Sequence, residues 1–597
     1  MPLHQYYNQR IDNFQKDFEQ AQKSENRIVI LRLVSFIASI VLFFFLLRFN
    51  IAIAITVLVS GICCFGYIIK RNLTITHQKQ FFQHLTDINK NELKCINGDF
   101  SSYPRGDEHM DKTHPYSSDL DIFGKASLFQ FINRTVSQPG SNMLAEWLKK
   151  PAEINEINKR QNAISELSKK NDWLQRMMAT EYRYAEATNN PESIIQWVQT
   201  EPLLLKKTYL KPLITILSII TILLIVVNFF GYDSKPLLTL VLLVNIGLYF
   251  QLTPLINKIH QRVSKSNELL KSYAELIQFI ENEDFTSDKL LEIQNILKNG
   301  QGSAGKQIRD LSKLVNKLDF RLNLLVAIPL NLLFFWDTWQ SLRLEQWKKQ
   351  NSLHISKWFE AMAQFEALSS FANLYFNNPD WTMPTITDQY FKFWAKNIGH
   401  PLIPSHQRIY NDLEINAMGK IILVTGSNMS GKSTFLRTCG VNIVLAMSGA
   451  PVCAKYLEVS HILVYTSMRI ADSLEENTSS FYAELKRLAN VIKIVEQKEK
   501  VFLLLDEILR GTNSNDRHIG SVALIKQLIT GNGVGIIATH DLALSQLEQE
   551  LPHHIDNYNF DVKIENDELF FDYKLNTVIC RSLNASILMK KMGIKMQ

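Results

Sequence analysis

The chain has 597 residues, room for several domains, with 64 basic and 58 acidic side chains and a formal net charge of +6. That near-balance neither demands nor excludes a nucleic-acid partner. The six cysteines, Cys63, Cys64, Cys95, Cys439, Cys453 and Cys580, have neither zinc-site spacing nor a disulfide framework, which suits a reducing compartment.

In chain order, the first 26 residues are polar and read as helix. The first apolar run begins too late for a cleavable signal peptide. Residues 33–47 and 51–69 are apolar runs separated by Arg48-Phe49-Asn50. The first lengthens to Ile28 if Arg32 snorkels, which gives roughly the 20 residues a membrane crossing needs. A second pair, 212–230 and 236–253, is joined by Gly231-Tyr232-Asp233-Ser234-Lys235. Buried helices of a large core are the competing reading, but paired runs with tight turns suit hairpins. Basic residues such as Arg27, Lys70, Arg71, Lys206, Lys211 and Arg262 flank the outer ends, which puts both termini in the cytoplasm. Between the pairs, apolar spacing over Leu128, Phe129, Ile132 and Met143, Leu144, Trp147, Leu148, broken at Pro139-Gly140, predicts a helical hairpin. Residues 255–320 and 340–375 read as long helices of mixed charge. The run 323–336 is short and holds Pro329. We read it as a buried or interfacial helix, with a re-entrant or spanning role as the alternative.

The C-terminal third carries the chemistry. Gly426, Ser427, Asn428, Met429, Ser430, Gly431, Lys432, Ser433 and Thr434 spell G-x-x-x-x-G-K-[ST] directly after the apolar run 421–425. A strand, a glycine turn and a helix start in that order form a phosphate-binding loop. Lys432 would reach the β/γ-phosphates of ATP and the Ser433 hydroxyl would ligate Mg²⁺. Val501 to Leu505 is a second continuous apolar run, as in a strand buried on both faces. It ends in Asp506, a candidate Mg²⁺ ligand through water, and Glu507, a candidate to orient or deprotonate the attacking water. A third strand, 534–539, delivers His540, placed to sense the γ-phosphate. A lone histidine there would more often be a packing or turn residue, so its context carries the assignment.

Together these segments resemble the MutS family of mismatch-repair proteins over roughly residues 396–575. The loop has that family's Asn-Met pair, Asn428-Met429. Residues 503–516, LLLDEILRGTNSND, resemble its acidic strand and the turn that follows, with Leu509 where the family has glycine, and Thr539-His540 resembles its threonine-histidine switch. The stretch 469–485 resembles the signature segment whose serine completes the opposite subunit's site; Ser479 is the matching position, although alone it would read as a helix N-cap. Gly399-His400-Pro401 and Tyr410-Asn411-Asp412 resemble the segment that contacts the adenine. A weaker resemblance, over 119–161, is to the start of the family's helical core.

The expected fold is therefore an α/β P-loop ATPase domain of ABC type over 396–597. It follows a mainly helical, lever-like region over 111–395 with the second transmembrane hairpin and an N-terminal region, 1–110, with the first. The resemblance implies ATP and Mg²⁺ as cofactors, a homodimer through the ATPase domains and a DNA partner. The apolar runs imply the lipid bilayer of the cytoplasmic membrane. The chain departs from the family in showing no Phe-x-Glu wedge segment and no evident strand-rich clamp. That keeps a second reading open, an ATP-driven membrane mechanoenzyme or assembly factor without nucleic acid.

Overall fold

The computed structural model describes residues 2–183, 191–298, 302–427, 429–468, 480–565 and 568–577. These are mainly helical, and among them no strand precedes Thr385.

The C-terminal part is built on a six-stranded sheet. Its strands are β4 (Ile421–Gly426), β6 (Leu463–Ser467), β7 (Val501–Asp506), β8 (Val534–Thr539), β9 (Ile555–Glu565) and β10 (Glu568–Asn576). The order is β10-β9-β4-β8-β7-β6, parallel throughout except β10, which returns antiparallel on β9. Every residue of β4, β7 and β8 is buried, because helices cover both faces. The strand alternation divides these residues between two cores. Ile422, Val424, Phe502 and Leu504 face the helix Lys432–Ser448 through Leu436 and Cys439. Ile421, Leu423, Leu503 and Leu505 face the helices Ser480–Glu496 and Ser514–Thr530 through Val491, Ile525 and Leu528. A smaller sheet, ordered β1 (Thr385–Thr387), β5 (Tyr456–Ser460), β2 (Phe393–Ile398) and β3 (Asn411–Ile415), flanks this layer.

The helical part centres on Ile355–Asn377, which packs against the helices Gln138–Lys149, Ile154–Ser168 and Asp288–Lys298. The expected long helices are broken. Residues 255–320 run through the helices Lys235–Val263, Asn267–Glu281, Asp288–Lys298 and Ala304–Leu318, and the 340–375 pattern is split at residues 352–354. The anticipated break at Pro139-Gly140 also moves. The chain is extended before Ser137, and Pro139 lies in the first turn of Gln138–Lys149, where its missing N–H costs nothing. The Ser137 hydroxyl accepts from Gly140 N at 3.0 Å. Glu366 on the central helix accepts from the Ser137 hydroxyl at 2.6 Å and from the Val136 and Ser137 amides at 3.1 and 3.0 Å.

Two apolar helical hairpins leave this body. The first joins Leu3–Leu46 to Ile51–Ile96, far longer than the apolar runs themselves, with Asn50 capping the second helix through Ala52 N at 2.8 Å. The second joins Leu210–Phe229 to Lys235–Val263. All four helices are long and apolar enough to cross a membrane by length and composition. The short run forms the helix Leu324–Phe334 against the second hairpin. It is not buried as one of the two expectations had it: Leu324, Leu325 and Ile328 are exposed, and only Ala327 and Asn331 are covered.

The first hairpin is locked to the body by a buried ionic cluster. Glu92, 1% exposed, receives Arg134 Nε at 2.5 Å and Nη2 at 3.2 Å, Tyr103 Oη at 2.9 Å, and the Asn373 and Asn377 amides at 3.1 and 2.8 Å. Tyr7, on the other helix of the hairpin, donates to Asn377 Oδ1 at 2.6 Å. Burial alone would raise the Glu92 pKa, but the Arg134 charge and these donors outweigh it and hold the carboxylate below its usual range.

Candidate nucleotide site

β4 ends at Gly426, whose φ of 153° and tight surroundings require glycine. A Cβ there would lie 3.0 Å from Phe560 O. The loop closes at Gly431, φ 102°, where a Cβ would meet the Tyr573 ring at 2.9 Å. Gly431 is also the N-cap of Lys432–Ser448, so the unsatisfied N–H groups of that helix point into the loop, a ready anion site.

The neighbouring parallel strands supply the side chains. β8 lies between β4 and β7, so Asp506 and Glu507 stand one strand beyond the neighbour of the strand that feeds the loop. Lys432 Nζ donates to Gly426 O at 3.0 Å and Ser427 O at 2.9 Å and lies 3.5 Å from His540 Nε2. His540 Nε2 lies 2.7 Å from Glu507 Oε1. Glu507, in a left-handed backbone conformation (φ 53°), donates its amide to Ala538 O at 2.9 Å, so the β7–β8 pairing aims its carboxylate. Its other oxygen pairs with Arg510 Nε at 2.9 Å, while Arg510 Nη2 lies 4.0 Å from Asp506 Oδ2. The structure thus brings together Lys432, Ser433, Asp506, Glu507 and His540.

The two carboxyls are tuned in opposite directions. The His540 hydrogen bond, with Arg510, holds the Glu507 pKa below the usual range. Burial raises that of Asp506 against the opposing Ser433 and Arg510. Asp506 Oδ1 and Ser430 Oγ are buried without a hydrogen-bond partner among the described residues. Buried oxygens left in this state at the mouth of an anion loop are the chemistry a hydrated divalent cation and its phosphate would complete. Asp506 and the exposed Ser433 beside it therefore fit Mg²⁺.

The loop opens into a cleft of about 380 Å³. Ile398, His400, Ile409, Asn411, Phe560 and Tyr573 line it beyond the phosphate end. Tyr410 faces the next cavity instead and packs beneath Gly399, because alternate residues of an extended segment point to opposite sides. Burial, then the Arg437 and Arg408 charges, pull the His400 pKa down to about 4, so the ring is neutral near pH 7. Asn428 and Ser479 lie outside the described residues.

Two contributors escaped the sequence reading. Arg510 was legible only as the residue three or four positions after an acidic pair. Glu484 receives the Leu509 amide at 2.5 Å and so braces the turn carrying Arg510, a contact spanning 25 residues. His400, from the 399–401 segment that resembles the family's adenine contact, lines the cleft from a loop before the phosphate motif.

The family model for MutS domain III matches residues 113–494, more than half of the chain, and that for MutS domain V matches residues 422–591. Among curated relatives, the DNA mismatch repair protein MutS of Methanosarcina mazei is 32% identical over 233 residues, which are 38% of this chain and 25% of that protein. The protein of the same name from Ehrlichia chaffeensis is 32% identical over 229 residues (38% and 28%), and that from Persephonella marina is 29% identical over 247 (41% and 28%). The aligned part thus spans about a quarter of the length of those relatives.

Proposed function

The chain belongs to the MutS family, and from that premise we propose that it is a membrane-anchored ATPase whose hydrolysis cycle is coupled to DNA. The observation that carries the ATPase reading is the convergence of Lys432, Asp506, Glu507 and His540 on one glycine-bounded helix N-terminus. Lys432 and the helix N–H groups bind the phosphates. Ser433 and Asp506 would hold Mg²⁺, which when bound would neutralise charge on the phosphate oxygens. Glu507, kept ionised by His540 and Arg510, accepts a hydrogen bond from the attacking water and orients it. Its low basicity favours orientation over full proton abstraction. His540 holds that carboxylate and lies next to Lys432, so it links phosphate occupancy to water positioning. Ile398, His400 and Ile409 offer the base a wall. Asn428 joins the loop's phosphate contacts and Ser479 completes the partner subunit's site in a homodimer, both by family resemblance.

The division into an N-terminal hairpin region (1–110), a helical region (111–395) and the ATPase domain (396–597) belongs to the same proposal. The two hairpins anchor the chain in the cytoplasmic membrane with the ATPase inside. Four long apolar helices and basic flanks support this. The DNA partner rests on the name of the relatives.

A second reading has its own support. Among the described residues no strand interrupts the helical part, and the first hairpin is bonded directly to the central helix through Glu92 and Tyr7. An ATP-driven membrane machine without nucleic acid would use that joint. ATP turnover of the full chain in lipid nanodiscs, with and without mismatched or branched duplex at low salt, tests both. A Glu507→Gln chain as active as the natural one defeats the ATPase reading. Absence of any DNA binding, with turnover intact, leaves the mechanoenzyme.

A further inference from the structure

The second hairpin has a companion. The helix Leu324–Phe334 is apolar except for the buried Asn331, yet Leu322, Leu324, Leu325 and Ile328 are 72%, 70%, 88% and 62% exposed. A contiguous apolar surface of this kind is unfavourable in water. The segment is pinned to Lys235–Val263 at two points. Arg321 Nη2 donates to Asn257 Oδ1 at 2.6 Å. Asn245 Nδ2, which also donates to Thr221 Oγ1 at 3.0 Å, donates to Leu332 O at 2.9 Å. Asn245 and Asn257 are twelve residues apart on one helix, so the two contacts are separated by about 18 Å along it. Asn257 lies beyond the end of the apolar stretch 236–253, and Asn245 lies at its middle. Leu332 is therefore level with the middle of that stretch. The following helix, Trp336–Asn351, leads away to the exposed Lys349.

We propose that residues 322–334 form a re-entrant helix embedded among the acyl chains of the cytoplasmic leaflet, a third membrane element beside the second hairpin. The proposal rests on the membrane-anchor reading of the hairpins. The two hairpin helices that this segment packs on also expose apolar side chains, among them Ile219, Leu223, Leu240 and Leu243. An eleven-residue helix is about 16 Å long and cannot cross the roughly 30 Å hydrocarbon core, so it must enter and leave by the same side. The helix before it carries exposed Lys306, Lys313 and Lys317, a charge pattern that matches anionic headgroups. The turn at Phe335, buried and left-handed (φ 51°), joins the inserted helix to Trp336–Asn351, so a movement there would be felt in the bilayer.

The test uses the full chain in nanodiscs of mixed zwitterionic and anionic phospholipid. Exposed Cys63 and Cys64, and Cys580, are replaced by alanine, and an environment-sensitive fluorophore is attached at Leu325→Cys, at Leu223→Cys in the hairpin or at Leu353→Cys. Nitroxides on the acyl chains should quench position 325 as strongly as 223, and at least about twofold more than 353, which lies a full helix away from the inserted segment. Quenching at 223 with 325 behaving like 353 overturns the inference alone. Quenching at neither overturns the inference together with the anchoring. The unmodified chain provides an independent readout: mid-chain diazirine lipids should form adducts within 322–334 on photolysis. Adducts confined to the hairpins would overturn it.

Discussion

Two buried charge clusters in this protein are built on opposite principles. Around Glu92 every oxygen is used. Arg134 binds both oxygens, Tyr103, Asn373 and Asn377 complete the shell, and Arg134 also stacks 3.6 Å from the Tyr103 ring centroid. Around Asp506, Oδ1 and the nearby Ser430 hydroxyl find no partner among the described residues, although both are buried. A saturated cluster repays desolvation internally and acts as a joint. An unsaturated one holds polar capacity in reserve for something that arrives. The first should therefore be sensitive in stability and silent in chemistry, and the second the reverse.

Glu507→Gln should give the largest effect. It should lower ATP turnover by about 10²–10⁴-fold and leave ATP affinity and the unfolding midpoint near those of the natural chain. Isothermal binding and steady-state turnover in the same nanodiscs check this. Lys432→Ala should instead lose ATP affinity. Equal affinity would remove Lys432 from the phosphate site.

Arg134→Ala leaves the Glu92 carboxylate buried with its cation gone, a loss of about 3–5 kcal/mol. Thermal unfolding should register it, while the paired Glu92→Leu, Arg134→Leu chain should recover most of the loss. A destabilised pair as severe as the single variant would show that the cluster contributes more than mutual compensation.

His400 sharpens the contrast through pH. Its folded pKa of about 4 lies below the ordinary histidine value, so the unfolded chain binds the proton first as pH falls. Stability should drop between about pH 6.5 and 4, by up to about 3 kcal/mol. A His400→Gln chain should lack that component. An unchanged slope in the variant would assign the pH dependence elsewhere.

The smallest effect belongs to Leu509, which holds φ 60° where a side chain is strained, yet is only 8% exposed. Leu509→Gly relieves roughly 1–2 kcal/mol of backbone strain and forfeits slightly more in buried contact. The net loss should be about 1 kcal/mol, read from the unfolding midpoint, with turnover preserved. A large loss of turnover would mean that the Leu509 side chain, rather than its backbone, positions Arg510.

The legible parts of the site were the contiguous ones. The glycine loop, the apolar strand ending in Asp506-Glu507 and the strand ending in Thr539-His540 each write their geometry into consecutive residues, and strands stand at all three places. Glu484 and Arg510 were not legible as site residues, because their partners are chosen by packing across tens of residues. Tyr410 was assigned to the cleft from its motif, but the direction of each side chain in an extended segment depends on a register that only neighbouring strands set.

The sequence by itself determined the local elements: four apolar helices long enough to cross a bilayer, a phosphate-type loop and the fully buried strands around it. Hydrophobic length and backbone stereochemistry are properties of consecutive residues, so no partner is needed to read them. The tertiary structure alone decided that β8 intervenes between the loop strand and the acidic strand, and that Glu92 is saturated while Asp506 is not. It also set Asn245 against Leu332, which lifts a short apolar helix to mid-hairpin depth. Each of these depends on long-range pairing, in which a hydrogen bond formed in a desolvated interior gains its strength from groups distant in the chain.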